Sequence, residues 1–213
     1  MQLDQPLQVV TPTVDGAVLA VLARADATFT GRGVHRLIGR YSAEGVRRAL
    51  DRLVGQGIVE ATAAGPSKLY RLNRAHLAAP YVVSLASLRE EFIDRLRGRL
   101  GEWAIKPAYA ALFGSAVVGR MRPESDVDVL VIRPGNVAPD DATWNDQVRQ
   151  LTDEASGWTG NDLRVLEMSE EAVTLTPVTA DHVLGDVRDH GIRLSGPASY
   201  LASRPATPRR RRG

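Results

Sequence analysis

Apolar positions in this chain change period several times, and each change predicts an element. Val14, Val18, Leu19 and Leu22 fall on one side of a helix in TVDGAVLAVLARAD, and TGRGVHRLIGRY supplies a second short helix. In SAEGVRRALDRLVGQGIVEA, Ser42 is placed as an N-cap, Val46, Ala49, Leu50, Leu53 and Val54 form the apolar face, and Gly55 and Gly57 stop the helix. Ile58 and Val59 then read as strand, TAAGPS as a turn and KLYRL as a returning strand. Residues 75–81 read as a linker, after which Leu85, Leu88, Phe92, Leu96 and Leu100 restore helical spacing. AYAALFGS predicts a short buried strand, DVDVLVI a second, DDATWNDQVRQLTDEASGW a helix and DLRVLEM a third strand. Two short helices, in EEAVTLTP and TADHVLGDVRDHG, and the segment IRLSG complete the order.

Composition adds bounds. With 213 residues, 44% hydrophobic and 24% charged, the chain suits two modest domains, each with its own core. It has no cysteine, so disulfides and thiolate metal sites are excluded. The histidines at 35, 76, 182 and 190 do not fall at ligand spacing, so a bound metal would take oxygen ligands. No apolar run approaches the roughly 20 residues that cross a bilayer, and no basic segment leads into an apolar N-terminal core, so a cytoplasmic protein without membrane association is expected. Residues 1–80 hold ten basic against six acidic side chains, whereas residues 81–213 hold seventeen against nineteen, four of those seventeen being Arg209 to Arg212. Positive charge is thus concentrated at the front and in the tail, where it could meet nucleic acid. Trp103, Trp144 and Trp158 lie at helix ends and read as packing residues.

The chemistry concentrates in LFGSAVVGRMRPESDVDVLVI, residues 112–132. Gly114 and Ser115 end one apolar strand, where glycine admits a close ligand and the amides and hydroxyl suit phosphate oxygens. Asp126 and Asp128 are two apart on the next strand and share a face, opposite Val127, Val129 and Val131. Side by side they repel unless a cation sits between them, and magnesium, which prefers carboxylate, water and phosphate oxygens, suits that position.

Gly114-Ser115, Gly119 and Ser125-Asp126-Val127-Asp128 resemble the minimal nucleotidyltransferase branch of the DNA polymerase β superfamily, whose usual form is Gly-Ser-x-x-x-Gly-x-x-x-x-x-Ser-Asp-x-Asp. The resemblance spans roughly residues 108–167. It implies that Gly114, Ser115 and Ser125 help bind the triphosphate, that Asp126 and Asp128 ligate Mg²⁺, with two ions and Mn²⁺ as a substitute, and that ATP or another nucleoside triphosphate is the substrate. A third carboxylate on the following strand, which activates the acceptor hydroxyl or completes the second metal site, is expected from the family. Asp162 is preferred over Glu167, because Leu163 and Val165 share the face of Glu167 while Asp162 lies at the strand's start. Val118 stands where many relatives carry arginine, so either Arg120 and Arg122 supply that cation or the site holds nucleotide less tightly.

Residues 14–73 resemble the winged helix-turn-helix of bacterial regulators of the MarR/ArsR type, with RALDRLVGQGIVEA the most characteristic piece. That resemblance implies DNA contacts from Ser42, Arg47, Arg48 and Lys68, although Glu44 and Asp51 on the same helix side would repel phosphate. The expected class is α+β: a winged helix-turn-helix over 1–75, a linker and connecting helix over 76–105, a polymerase-β-like nucleotidyltransferase domain with a small mixed sheet over 106–200, and a disordered basic tail over 201–213. The expected activity is transfer of a nucleoside monophosphate, AMP from ATP, to a macromolecular acceptor, protein or tRNA, in a toxin–antitoxin or defence setting. A homodimer is an open expectation. The alternative is a DNA-binding regulator whose second domain only senses nucleotide or docks a partner.

Overall fold

The computed structural model describes residues 1–176 and 181–201; residues 202–213 of the expected tail lie outside the described residues. Two compact units result, one of residues 2–90 and one beginning at residue 91 and including Met1.

In the first unit the helices are α1 (Val14–Ala23), α2 (Gly31–Ile38), α3 (Ala43–Gly55) and α4 (Ala79–Ala86), and the strands are β1 (Phe29–Thr30), β2 (Val59–Ala64) and β3 (Ser67–Leu72). Caps set the helix starts: the Gly33 amide donates to Thr30 Oγ1, and the Gly45 amide to Ser42 Oγ, both at 3.0 Å. Val18, Leu22, Val34, Val46, Leu50 and Tyr70 lie in the core of this unit. The sheet has three antiparallel strands in the order β1-β3-β2, one more than the two-stranded hairpin the sequence predicts. The two-residue β1 lacks the length for a period-two signal. Pairing of β2 with β3 runs from Val59↔Leu72 to Ala64↔Ser67, so the turn shrinks to Gly65-Pro66 and TAA belongs to the strand.

The predicted helix through Leu85 and Leu100 is two helices. It breaks at Ser87, whose hydroxyl donates to the Val83 carbonyl at 3.0 Å, and α5 begins at Leu88 (Leu88–Glu102). Ala79 and Ala86 of α4 are buried in the first unit's core, so the segment after residue 78 of the apparent linker is helical and packed.

The second unit adds β4 (Tyr109–Phe113), α6 (Ser115–Val118), β5 (Val127–Arg133), α7 (Ala142–Thr159), β6 (Leu163–Ser169), α8 (Glu170–Leu175), α9 (His182–His190) and β7 (Ile192–Ser195). Its mixed sheet has the order β6-β5-β4-β7, with β5 and β6 parallel and the other pairs antiparallel. β5 is central and buried from Val129 to Arg133, which explains its near-continuous apolar run. Leu130 and Ile132 belong to a cluster with Val173, Leu184 and Val187 of α8 and α9. Helix α5 and the residue after it pack on α7 through edge-to-face pairs, Trp103 with Trp144 at 5.4 Å and Phe92 with Trp158 at 6.2 Å.

Between α5 and β4 the chain is held by Gln147, which is 9% exposed: its Oε1 accepts from the Ala104 and Ile105 amides and its Nε2 donates to the Ile105 carbonyl. Gln147→Ala orphans two backbone donors, and chemical denaturation is expected to show a loss of about 1–3 kcal/mol.

Candidate active site

The site forms where β4 ends and β5 and β6 begin. Asp128 lies opposite Phe113 in the antiparallel pairing and beside Arg164 in the parallel one. After Phe113 the chain turns at Gly114, with φ 72° and ψ −149°, a conformation that L side chains rarely adopt. A Cβ at Gly114 would also stand 2.7 Å from Asp128 Oδ2. Glycine is therefore needed here both for the turn and for the close approach of backbone to carboxylate. Ser115 opens the single turn of α6, which ends when the Gly119 amide donates back to the Ser115 carbonyl.

Asp126 is delivered by a turn that Ser125 closes. The Arg122 amide donates to Ser125 Oγ at 2.9 Å, and the Ser125 amide donates to the Arg122 carbonyl at 3.0 Å. Below it, Asn161 is 5% exposed, and its Nδ2 donates to the carbonyls of Pro123 at 2.8 Å and Ser125 at 2.9 Å. Asn161 thus positions the loop before Asp126, a role the sequence reading missed. Its available signal was an asparagine between the helix-ending Gly160 and the start of a strand.

Burial, then the neighbouring charge of Asp126, pushes the Asp128 carboxyl above its usual range, while Arg164 acts in the opposite direction. Arg164 Nη1 lies 2.8 Å from Asp126 Oδ2. Asp162 precedes β6; its side chain is exposed and its carbonyl accepts the Val127 amide at 2.9 Å. Glu167 is in register with Val131, three positions along from Asp128 and hence on the other face, where its Oε1 accepts Arg133 Nε at 2.8 Å. Arg120 and Arg122 are exposed, and their guanidinium groups pair with no carboxylate among the described residues. Val118 is 42% exposed.

This donor set fits one hard divalent cation. Two carboxylates on one face, one of them resisting ionisation, supply oxygen ligands and a charge excess that Mg²⁺ would neutralise. Among the described residues no third acidic or histidine side chain completes a metal-holding cluster. Asp126 and Asp128 are brought together with Gly114, and Asp162 is not gathered with them.

In the first unit Ser42 is engaged as the α3 cap. Arg47 is tied to Glu44 at 2.7 Å and to Asp51 at 2.8 Å, and Arg48 to Glu44 at 3.1 Å. The paired arginines hold the Glu44 carboxyl down at about 2. Lys68 is exposed on β3 and shares a groove with Thr30, Gly31, Arg32, Ser67 and Tyr70.

Residues 90–184 match the family described as nucleotidyltransferase domain, a segment that includes Gly114, Ser115, Asp126 and Asp128. The matched segment is somewhat under half of the chain. No curated protein matches the chain. Two crystal structures resemble part of it. One is a toxin–antitoxin with AMP-PNP, 19% identical over 53% of this chain and 77% of that chain, at a TM-score of 0.36. The other is a mutant of the toxin–antitoxin MntA-HpeT, 14% identical over 52% and 77%, also at 0.36. Among the described residues no helix is long and apolar enough to cross a membrane.

The raised Asp128 pKa fixes a sign. An acid whose folded pKa exceeds its unfolded value contributes stability below the ordinary value of 3.8 and loses it as pH rises through the folded pKa. Asp128→Asn, which does not ionise, is therefore expected to melt above the unsubstituted protein at neutral pH without metal. The gap should close as the solution is acidified below that window, as read by calorimetry.

Proposed function

We propose that the second unit moves a nucleoside monophosphate, AMP from ATP, to a hydroxyl on a protein or RNA acceptor, with Mg²⁺ held by Asp126 and Asp128. The observation that carries this reading is the like-charged pair on one strand face, under a glycine whose missing Cβ keeps the space at Asp128 Oδ2 open. The nucleotidyltransferase match over the same residues supports it. Mg²⁺, when bound, would neutralise the carboxylates and charge on the triphosphate.

Around that charge the protein's residues orient the substrate. Ser115 and the Gly114 turn receive phosphate oxygens, and Arg120 and Arg122, free of acidic partners, offer positive charge from the loop. The acceptor oxygen bonds to the α-phosphorus as the bond to the bridging oxygen breaks, and pyrophosphate leaves with that electron pair. Asp162, exposed just before β6 and outside the Asp126–Asp128 pair, is the candidate to take the acceptor's proton. Asp126 is held in place through the Asn161 contacts to the loop before it.

Incubation with labelled ATP and Mg²⁺ tests the reading. Label is expected on the protein itself, on a co-purified partner or on bulk tRNA, and Asp126→Ala or Asp128→Ala should lower it by about 100-fold or more. No transfer to any of these, together with tight operator binding, would favour a regulator that only senses nucleotide.

For the first unit we propose a winged helix-turn-helix that binds DNA, with α3 as the recognition helix and β2-β3 as the wing. Ion pairs hold the α3 arginines. Arg47 and Arg48 are already neutralised by Glu44 and Asp51, whereas Arg32 and Lys68 have no acidic partner among the described residues and line one groove of about 430 Å³. Phosphate contact falls to Arg32 and Lys68 first. In an electrophoretic shift series, Arg32→Ala with Lys68→Ala should weaken duplex binding and reduce the salt slope by about 2. Glu44→Gln should strengthen binding, because it releases Arg47 and Arg48.

A further inference from the structure

Arg164 stands where the site's charges meet. Parallel pairing of β5 with β6 puts it in register with Asp128, on the face that also carries Asp126. Its Nη1 bonds Asp126 Oδ2 at 2.8 Å, yet its side chain is 69% exposed against 28% for that of Asp126. The guanidinium therefore reaches from solvent to a more buried carboxylate, and no other ion pair anchors it among the described residues. Other arginines of the second unit differ, Arg133 lying at the far end of β5. Arg133 is committed to Glu167 and the Val137 carbonyl, while Arg120 and Arg122 lie in the loop without a carboxylate partner.

We propose that Arg164 is an exchangeable counter-ion: it neutralises Asp126 in the resting site, yields that carboxylate to the divalent cation, and turns its guanidinium to the triphosphate that arrives with it. The inference rests on the metal and nucleotide reading of Asp126 and Asp128 above. Three physical points carry it. A divalent cation at Asp126 repels a guanidinium on the same carboxylate, so the two cannot share it at full strength. An exposed single ion pair is weak, so its exchange costs little. The guanidinium has five donors in a planar fork and stays charged, so with one donor on Asp126 it keeps others for phosphate oxygens. Val118, at the end of α6, offers the triphosphate no charge, and Arg164 supplies one from β6.

Opposite signs follow for two ligands, which a residue that merely held Asp126 in place would not produce. In the full-length protein, Arg164→Ala should bind Mn²⁺ alone up to about fivefold more tightly, by electron paramagnetic resonance of the free ion, because its competitor is gone. The same variant should bind a non-hydrolysable ATP analogue with Mg²⁺ about tenfold or more weakly, by isothermal titration calorimetry, because charge-assisted bonds to phosphate are lost. Arg164→Lys keeps the charge without the fork, so it should match the unsubstituted protein for Mn²⁺ and fall between the other two for the analogue. Unchanged or weaker Mn²⁺ binding in Arg164→Ala, or unchanged binding of the analogue, overturns the proposal. If no form binds Mn²⁺, and Asp126→Ala changes nothing, the metal reading itself fails and this proposal with it.

Discussion

A half-buried carboxylate beside a second one, Asp128 beside Asp126, is the constraint on which the candidate site depends. Asp126 and Asp128 share one face at the start of the most buried strand of the sheet, where burial and proximity oppose full ionisation of Asp128. A core strand that served packing alone would carry an apolar residue at 128, as it does at 130 and 132. The surroundings maintain the arrangement: Gly114 gives up its side chain to Asp128 Oδ2, Asn161 ties down the loop before Asp126, and Arg164 supplies a replaceable positive charge. Of these contacts only that of Arg164 offsets charge, and it does so through an exposed guanidinium.

The two units handle charge differently. In the first, about half of the basic side chains are held in local ion pairs, so the excess rests on the others. Arg47, Arg48 and Arg52 each face a carboxylate, and Arg71 faces Glu60. Among the described residues Arg24, Arg32, Arg36, Arg40 and Lys68 have no carboxylate partner, and of these Arg32 and Lys68 share one groove. In the second unit, one ion pair, Arg164 with Asp126, lies inside the candidate site, and its partner carboxylate is the one the proposed metal would need.

Sequence patterning made the order of elements and the shared face of Asp126 and Asp128 legible, because strand periodicity and the Gly-Ser to Asp-x-Asp spacing are local properties. Long-range features were not legible. The two-residue β1 is defined only by its pairing with β3, and the break at Ser87 falls inside a stripe whose apolar spacing continues across it. Asn161 acts through carbonyls 36 and 38 positions away, which no window of sequence contains. The choice between Asp162 and Glu167 turned on parity, and the parallel register sets Glu167 on the face away from Asp128. That same register puts Arg164, rather than an acid, beside Asp128, which periodicity within one strand could not show.

The central claim is that Asp126 and Asp128 form a metal site whose charge is held in check until a cation arrives. Its most direct measurement is the titration of the Asp128 carboxyl carbon by nuclear magnetic resonance, assigned by comparison with Asp128→Asn. The account predicts a pKa above 3.8 without metal, moving down when Mg²⁺ and a non-hydrolysable ATP analogue are added. A titration at the ordinary value that does not respond to metal and nucleotide would contradict it.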